Sequence, residues 1–227
     1  MKIKFFLIIC SIVFISNHTF SQEDDKLGSW YIYNGFFNFT PKFELFVESQ
    51  LRTWEEVSNS QSFFIRAFFN YNLTMSFQLG FSQEYHINWS YAENADDKLR
   101  TEEYRTTLQA ILFQVIDRVT IQHRYRYEFR FLDESGKQRT RYRIQLGIPL
   151  SKEKIEKGVV FATVGNEFLI DTKPALQFSQ NRLYAMLGYQ FTSSLNFQFG
   201  YIYIARSDAP NWHRLQFFLT QKLFFYE

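Results

Sequence analysis

The chain has 227 residues, 46% hydrophobic and 20% aromatic, with 28 phenylalanines and a formal net charge of only +2. The length suits one large β domain or two small ones, and so high an aromatic content is unusual for a soluble domain. The near-neutral charge argues against a protein that lives on nucleic acid, where a clear basic excess is the rule.

The N-terminus, "MKIKFFLIICSIVFISNHTFSQ", has the layout of a secretory signal peptide. Lys2 and Lys4 precede an apolar run from Phe5 to Ile15, and Thr19 and Ser21 stand at the −3 and −1 positions of a cleavage site before Gln22. Residues 1–21 are therefore expected to be removed, leaving 22–227 as one mature domain. The single cysteine, Cys10, falls in the leader, so the mature chain has no disulfide framework. Beyond residue 22 no apolar run approaches the length of a transmembrane helix, so a membrane could be spanned only by a closed barrel.

Period-2 alternation runs through the remainder. Candidate strands are, in chain order, 28–39, 43–54, 62–71, 74–88, 100–113, 119–131, 138–149, 158–170, 179–190, 195–206 and 211–225. Most exceed the five or six residues usual in a soluble sheet and suit a tilted strand crossing a bilayer. Tight turns at "TPK" (40–42), "NLT" (72–74), "IDR" (116–118) and "TSS" (192–194) alternate with longer polar loops such as "SYAENADDKL" (90–99) and "DTKPALQFS" (171–179), the habit of outer-membrane barrels. "SKEKIEK" (151–157) is a longer connection on the short side. Eleven segments emerge, but bacterial single-chain barrels carry even numbers, so an up-and-down antiparallel barrel of ten or twelve strands is expected.

Within 119–131, Val119, Ile121, His123, Tyr125, Tyr127, Phe129 and Phe131 share one face, and Thr120, Gln122, Arg124, Arg126, Glu128 and Arg130 share the other. The aromatics of "HRYRYEFRF" thus point away from its arginines, which removes the reading as a nucleic-acid platform. Such a two-faced sheet fits either a soluble lipocalin-like barrel with charges outside or a membrane barrel with charges in the lumen. Lysines keep to the leader, turns, loops and chain ends, whereas strand interiors carry arginine. Arginine's planar fork suits enclosed pairing with carboxylates, so the lipid-out arrangement is favoured. Aromatics near strand ends, among them Trp30, Trp54, Trp89 and Trp212, are read as interfacial girdles.

The expected lumen network comprises Glu103, Arg105, Arg124, Arg126, Glu128, Arg130, Arg139, Arg141, Arg143, Glu167 and Arg182. It would act as a brace or plug. A small-conductance pore passing small anionic solutes is the alternative, since arginines outnumber glutamates in the strands. A third reading is a lipid-face hydrolase or acyltransferase built on His213 or His123, although no serine lies two residues from either. No metal, phosphate-loop or nucleophile-elbow motif is present, and no cofactor is expected.

The order of several fragments resembles a known family. Trp30 opens the first strand and Arg52 closes the second in "SQLRTW"; then come "EEYRTTLQ", "RYRYEFRF", "RYRIQLGIPL", "NEFLI", "QNRLYAMLGYQF" and "GYIY". Over roughly 28–225 this resembles the uncharacterised outer-membrane domain-of-unknown-function family 2490. The resemblance implies a bacterial outer-membrane β-barrel in contact with membrane lipids and implies no activity. Phe225 and Tyr226 lie just before the terminal Glu227, where barrel-assembly machinery would read an aromatic end.

Overall fold

The computed structural model describes residues 27–91, 97–132, 135–207 and 209–226. The expected leader, residues 1–21, lies outside them. There is no helix among the described residues. Eleven strands run in chain order: β1 (Gly28–Asn38), β2 (Phe43–Thr53), β3 (Ser60–Asn72), β4 (Phe77–Tyr91), β5 (Lys98–Ile116), β6 (Val119–Leu132), β7 (Ser135–Pro149), β8 (Val160–Lys173), β9 (Gln177–Gln190), β10 (Leu195–Arg206) and β11 (Trp212–Phe224). Each pairs antiparallel with its neighbour in sequence, and β1 closes the barrel on β11.

The expectation of an even strand number is overturned. Eleven strands close because β1 and β11 pair in parallel, in unbroken register from Gly28↔Arg214 to Asn38↔Phe224. A parallel ladder is slightly weaker per residue, but it satisfies the backbone of both strands and leaves no open edge. Outward side chains reinforce the seam: Tyr31 stacks on Phe217 at 5.1 Å with planes 8° apart. The Tyr33 hydroxyl donates to Gln221 Oε1 at 3.0 Å. With an odd count the chain enters and leaves at opposite ends. β1 starts beside the longer loops, and β11 finishes among the tight turns.

Three of the tight turns share one construction. In "FTPKF" (39–43), "LTMSF" (73–77) and "FTSSL" (191–195) a threonine hydroxyl accepts two backbone N–H groups. Thr40 Oγ1 takes those of Lys42 and Phe43, Thr74 Oγ1 those of Ser76 and Phe77, and Thr192 Oγ1 those of Ser194 and Leu195. The side chain thereby mimics a backbone turn. At the two-residue hairpin between β5 and β6, Asp117 takes φ 55°, the left-handed conformation that Asp tolerates and such a turn requires.

The faces are those of an inverted globule. Phe69 (64% exposed), Leu187 (57%) and Tyr125 (53%) stand on the outer surface, while Glu128 (0%), Arg126 (3%) and Glu84 (3%) are inside. The interior is not uniformly polar, however. Trp30, Ile32, Tyr184, Met186, Ile202 and Ile204 form a buried cluster inside the barrel, with Trp212 and Phe218 against it. Trp30 and Trp212, expected in the outer girdles, are thus turned inward, and one wall of the lumen is apolar. Small residues admit this wall's bulk: the Tyr184 ring covers Gly165, where an added Cβ would collide with it.

Candidate functional site

Alternation sends every second side chain of β5–β9 into the lumen, and register decides which meet. At the loop-side end, Glu103 on β5 holds two arginines. Its Oε1 and Oε2 accept from Arg105 at 2.7 and 2.9 Å and from Arg130 at 2.5 and 3.1 Å. Arg105 also approaches Glu128 at 4.0 Å. Glu128 in turn receives Arg141 at 2.6 Å. Arg141 donates through Nη2 to both oxygens of Glu167, at 2.9 and 2.8 Å. Glu167 further binds Arg124 at 2.7 Å and Arg182 at 3.4 Å. The result is a continuous charge chain across five strands. Arg139 stands beside it and pairs with Asp171 at 2.6 Å.

Two expected members of this network, Arg126 and Arg143, have no carboxylate partner among the described residues. Arg126 donates to Gln109 at 3.0 Å and lies 4.5 Å over the Phe68 ring. Arg143 donates to Gln122. The arginines outnumber the carboxylates on this wall, so glutamines supply the remaining acceptors. Sequence reasoning missed several contributors. Arg66 joins Glu48 at 3.1 Å and Glu84 at 3.6 Å, and His86 meets Glu84 at 3.0 Å, a second cluster on β2–β4. Arg52 is stacked 4.0 Å over Trp30. Alternation along β2–β4 turns Glu48, Arg66 and Glu84 inward, and register sets Arg66 opposite both carboxylates.

A cavity of about 630 Å³ occupies the turn-side part of the lumen. Ile155, Glu156 and Ser193 from the turns border it, and Trp30, Arg52, Arg182 and Ile202 line its inner reach. At this rim Lys152, 2.9 Å from Glu156, holds that exposed carboxyl below its ordinary range. Glu103, Arg105, Glu128, Arg130 and Arg139 are absent from the lining, so the loop-side half of the charge chain lies beyond the cavity. At the loop end Trp54 meets Trp212 edge-on at 5.5 Å, with the Arg214 guanidinium 5.0 Å over the Trp212 ring.

The outward histidines meet tyrosines: His123 Nδ1 is 2.8 Å from the Tyr142 hydroxyl, and His213 Nδ1 contacts that of Tyr201. No cluster of potential metal ligands occurs among the described residues.

No curated protein and no solved structure matches the chain. A family model described as "Protein of unknown function (DUF2490)" matches residues 27–214, which takes in β1 through β10 and every member of the lumen network. The chain belongs to the DUF2490 family.

Proposed function

We propose that this protein is a bacterial outer-membrane β-barrel whose lumen is braced shut toward the loops and open as a vestibule toward the tight turns. The observation that carries the membrane assignment is the inversion of its two faces. The outer surface presents phenylalanine, leucine and tyrosine, while the interior holds buried arginine and glutamate. A lipocalin-like barrel in water would place them the other way round. Export through a leader at 1–21 and insertion by assembly machinery that reads the aromatic end at Phe225 and Tyr226 fit the same picture. Strands of 11 to 19 residues suit a tilted crossing.

The brace is supported by the chain from Arg130 through Glu103, Arg105, Glu128 and Arg141 to Glu167, because buried charges of this kind hold one another in place. Passage of small anions is the second reading. It is favoured by the cavity lining, where eight Lys and Arg side chains face four carboxylates.

Fractionation tests the membrane assignment. The protein is expected with outer membranes, and its gel mobility in SDS should change on heating. Recovery as a detergent-free periplasmic monomer would restore the water-soluble barrel.

A further inference from the structure

We propose that the turn-side vestibule is a binding site for a single-chain amphiphile with an anionic head, a long-chain carboxylate being the chemistry it fits. The inference rests on the vestibule reading of the lumen and names its occupant. Two features of the cavity have no role in a brace.

The first is a surplus of positive charge. Arg124, Arg126, Arg141 and Arg143 form a square patch on β6 and β7, with Arg124 opposite Arg143 and Arg126 opposite Arg141. Like charges placed directly across a ladder repel. Glu128 and Glu167 serve Arg141, and Glu167 serves Arg124. Arg126 and Arg143 are left with amide acceptors, and all four line the cavity. Arg126 is 97% buried, having only 3% of its surface exposed, and neither of its Nη atoms enters a hydrogen bond among the described residues. A carboxylate here would receive charge-assisted bonds from guanidinium groups, whose fork geometry matches it.

The second is the apolar wall. In the closed order of strands, β1 stands on the far side of the ring from β6 and β7. Trp30, Ile32 and Phe36 on β1 line the cavity, continued by Ile202 and Phe218 on β10 and β11. A lumen made only to be wet has no use for such a surface, because apolar area left in water is unfavourable. A hydrocarbon chain would cover it while its head reaches the arginines. The cavity's size of about 630 Å³ lies inside the range of roughly 300–1,000 Å³ typical of small-ligand sites. The turn-side opening gives a chain a way in.

The test uses the full-length barrel in phosphatidylcholine nanodiscs and a brominated long-chain fatty acid. Its bromines quench the Trp30 fluorescence when the chain lies on the apolar wall. Saturable quenching is expected, and Trp30→Phe should remove the larger part of it, the remainder coming from Trp212 against the same cluster. Arg126→Gln combined with Arg143→Gln should weaken binding at least about tenfold, as expected for loss of a charge-assisted hydrogen bond. Arg143→Lys should retain more of it than Arg143→Gln. Heat-modifiable mobility verifies that each variant is a folded barrel. The brominated alcohol of equal length should bind weakly, and acetate or inorganic phosphate should not displace the fatty acid at equal concentration. Equal binding of the alcohol would overturn the role of the arginines. Displacement by the small anions would overturn the role of the apolar wall, and quenching that never saturates would overturn the site. An ion-conducting barrel that still binds the acid would contradict the closed lumen and leave this site standing.

Discussion

Arg126 and Arg141 are register partners across the β6–β7 ladder, yet only Arg141 is neutralised. Arg141 lies 2.6 Å from Glu128 and 2.8 Å from Glu167, while Arg126 has Gln109 and the face of Phe68. Their substitutions should therefore act oppositely. Arg141→Met leaves enclosed Glu128 with only Arg105 at 4.0 Å and takes one of three arginines from Glu167, and is expected to destabilise the barrel by about 3 kcal/mol, the lower end for breaking a buried pair. Arg126→Met removes an uncompensated cation from beside three others and should leave stability unchanged or raise it. Denaturant unfolding of both variants in the same lipid decides this; equal destabilisation would mean that solvent, not pairing, sets the energies in the lumen.

The outward face should refuse charge. Leu108, at the middle of β5 and 49% exposed, sits between Phe81 and Tyr127 on the neighbouring strands. Leu108→Arg is expected to lower folding stability in lipid by roughly 2–4 kcal/mol, the cost of a cation near the bilayer midplane. Gln145→Arg places the same side chain in the cavity wall and should be tolerated better. Folding yield into vesicles measures both, and equal yields would contradict the lipid-facing assignment.

The parallel seam makes a prediction about cross-links. Ser29 is the partner of Leu215, and Phe37 that of Leu223. Cysteine pairs at 29/215 and at 37/223 should each form disulfides under mild oxidation, because adjacent strands bring their Cα atoms within disulfide range. A pair at 29/223 should not. A bond at 29/223 would require antiparallel closure and an even strand count. Cys10→Ser in the same background takes away the one native cysteine as a competing partner.

Local alternation made most of the architecture legible. In 119–131 the two sets differ so sharply that Arg124, Arg126 and Glu128 could be turned inward without knowing any neighbour. Partnership was not legible, because it depends on register between strands. Whether Arg143 meets a glutamate or Gln122 is settled by pairing across β6 and β7. β1 was ambiguous for another reason. Trp30, Ile32 and Phe36 alternate with Tyr31, Tyr33 and Phe37, so both faces are largely apolar and period 2 names neither as the inner one. Trp30, near a strand end, reads from the sequence as a girdle residue, and the apolar wall of the cavity is not visible there. The period-2 segments give the correct count of eleven, which the parity rule overrides. That rule assumes both chain ends lie on one side of the barrel, which a parallel seam does not require. The threonine turns were in plain sight as "FTPKF", "LTMSF" and "FTSSL", a repeat visible once the hydroxyl's two backbone partners are known.

The closed lumen is tested most directly by conductance across a planar bilayer, comparing the unmodified barrel with one carrying Glu128→Ser and Arg141→Ser. These two residues meet at 2.6 Å in the middle of the charge chain, and serine at both would cut it and empty the space it fills. The unmodified protein should give no discrete current steps, and the doubly substituted barrel should conduct with a preference for anions, since most of the lining cations remain. Steady current through the unmodified protein would contradict the brace and favour passage of anions through an open lumen.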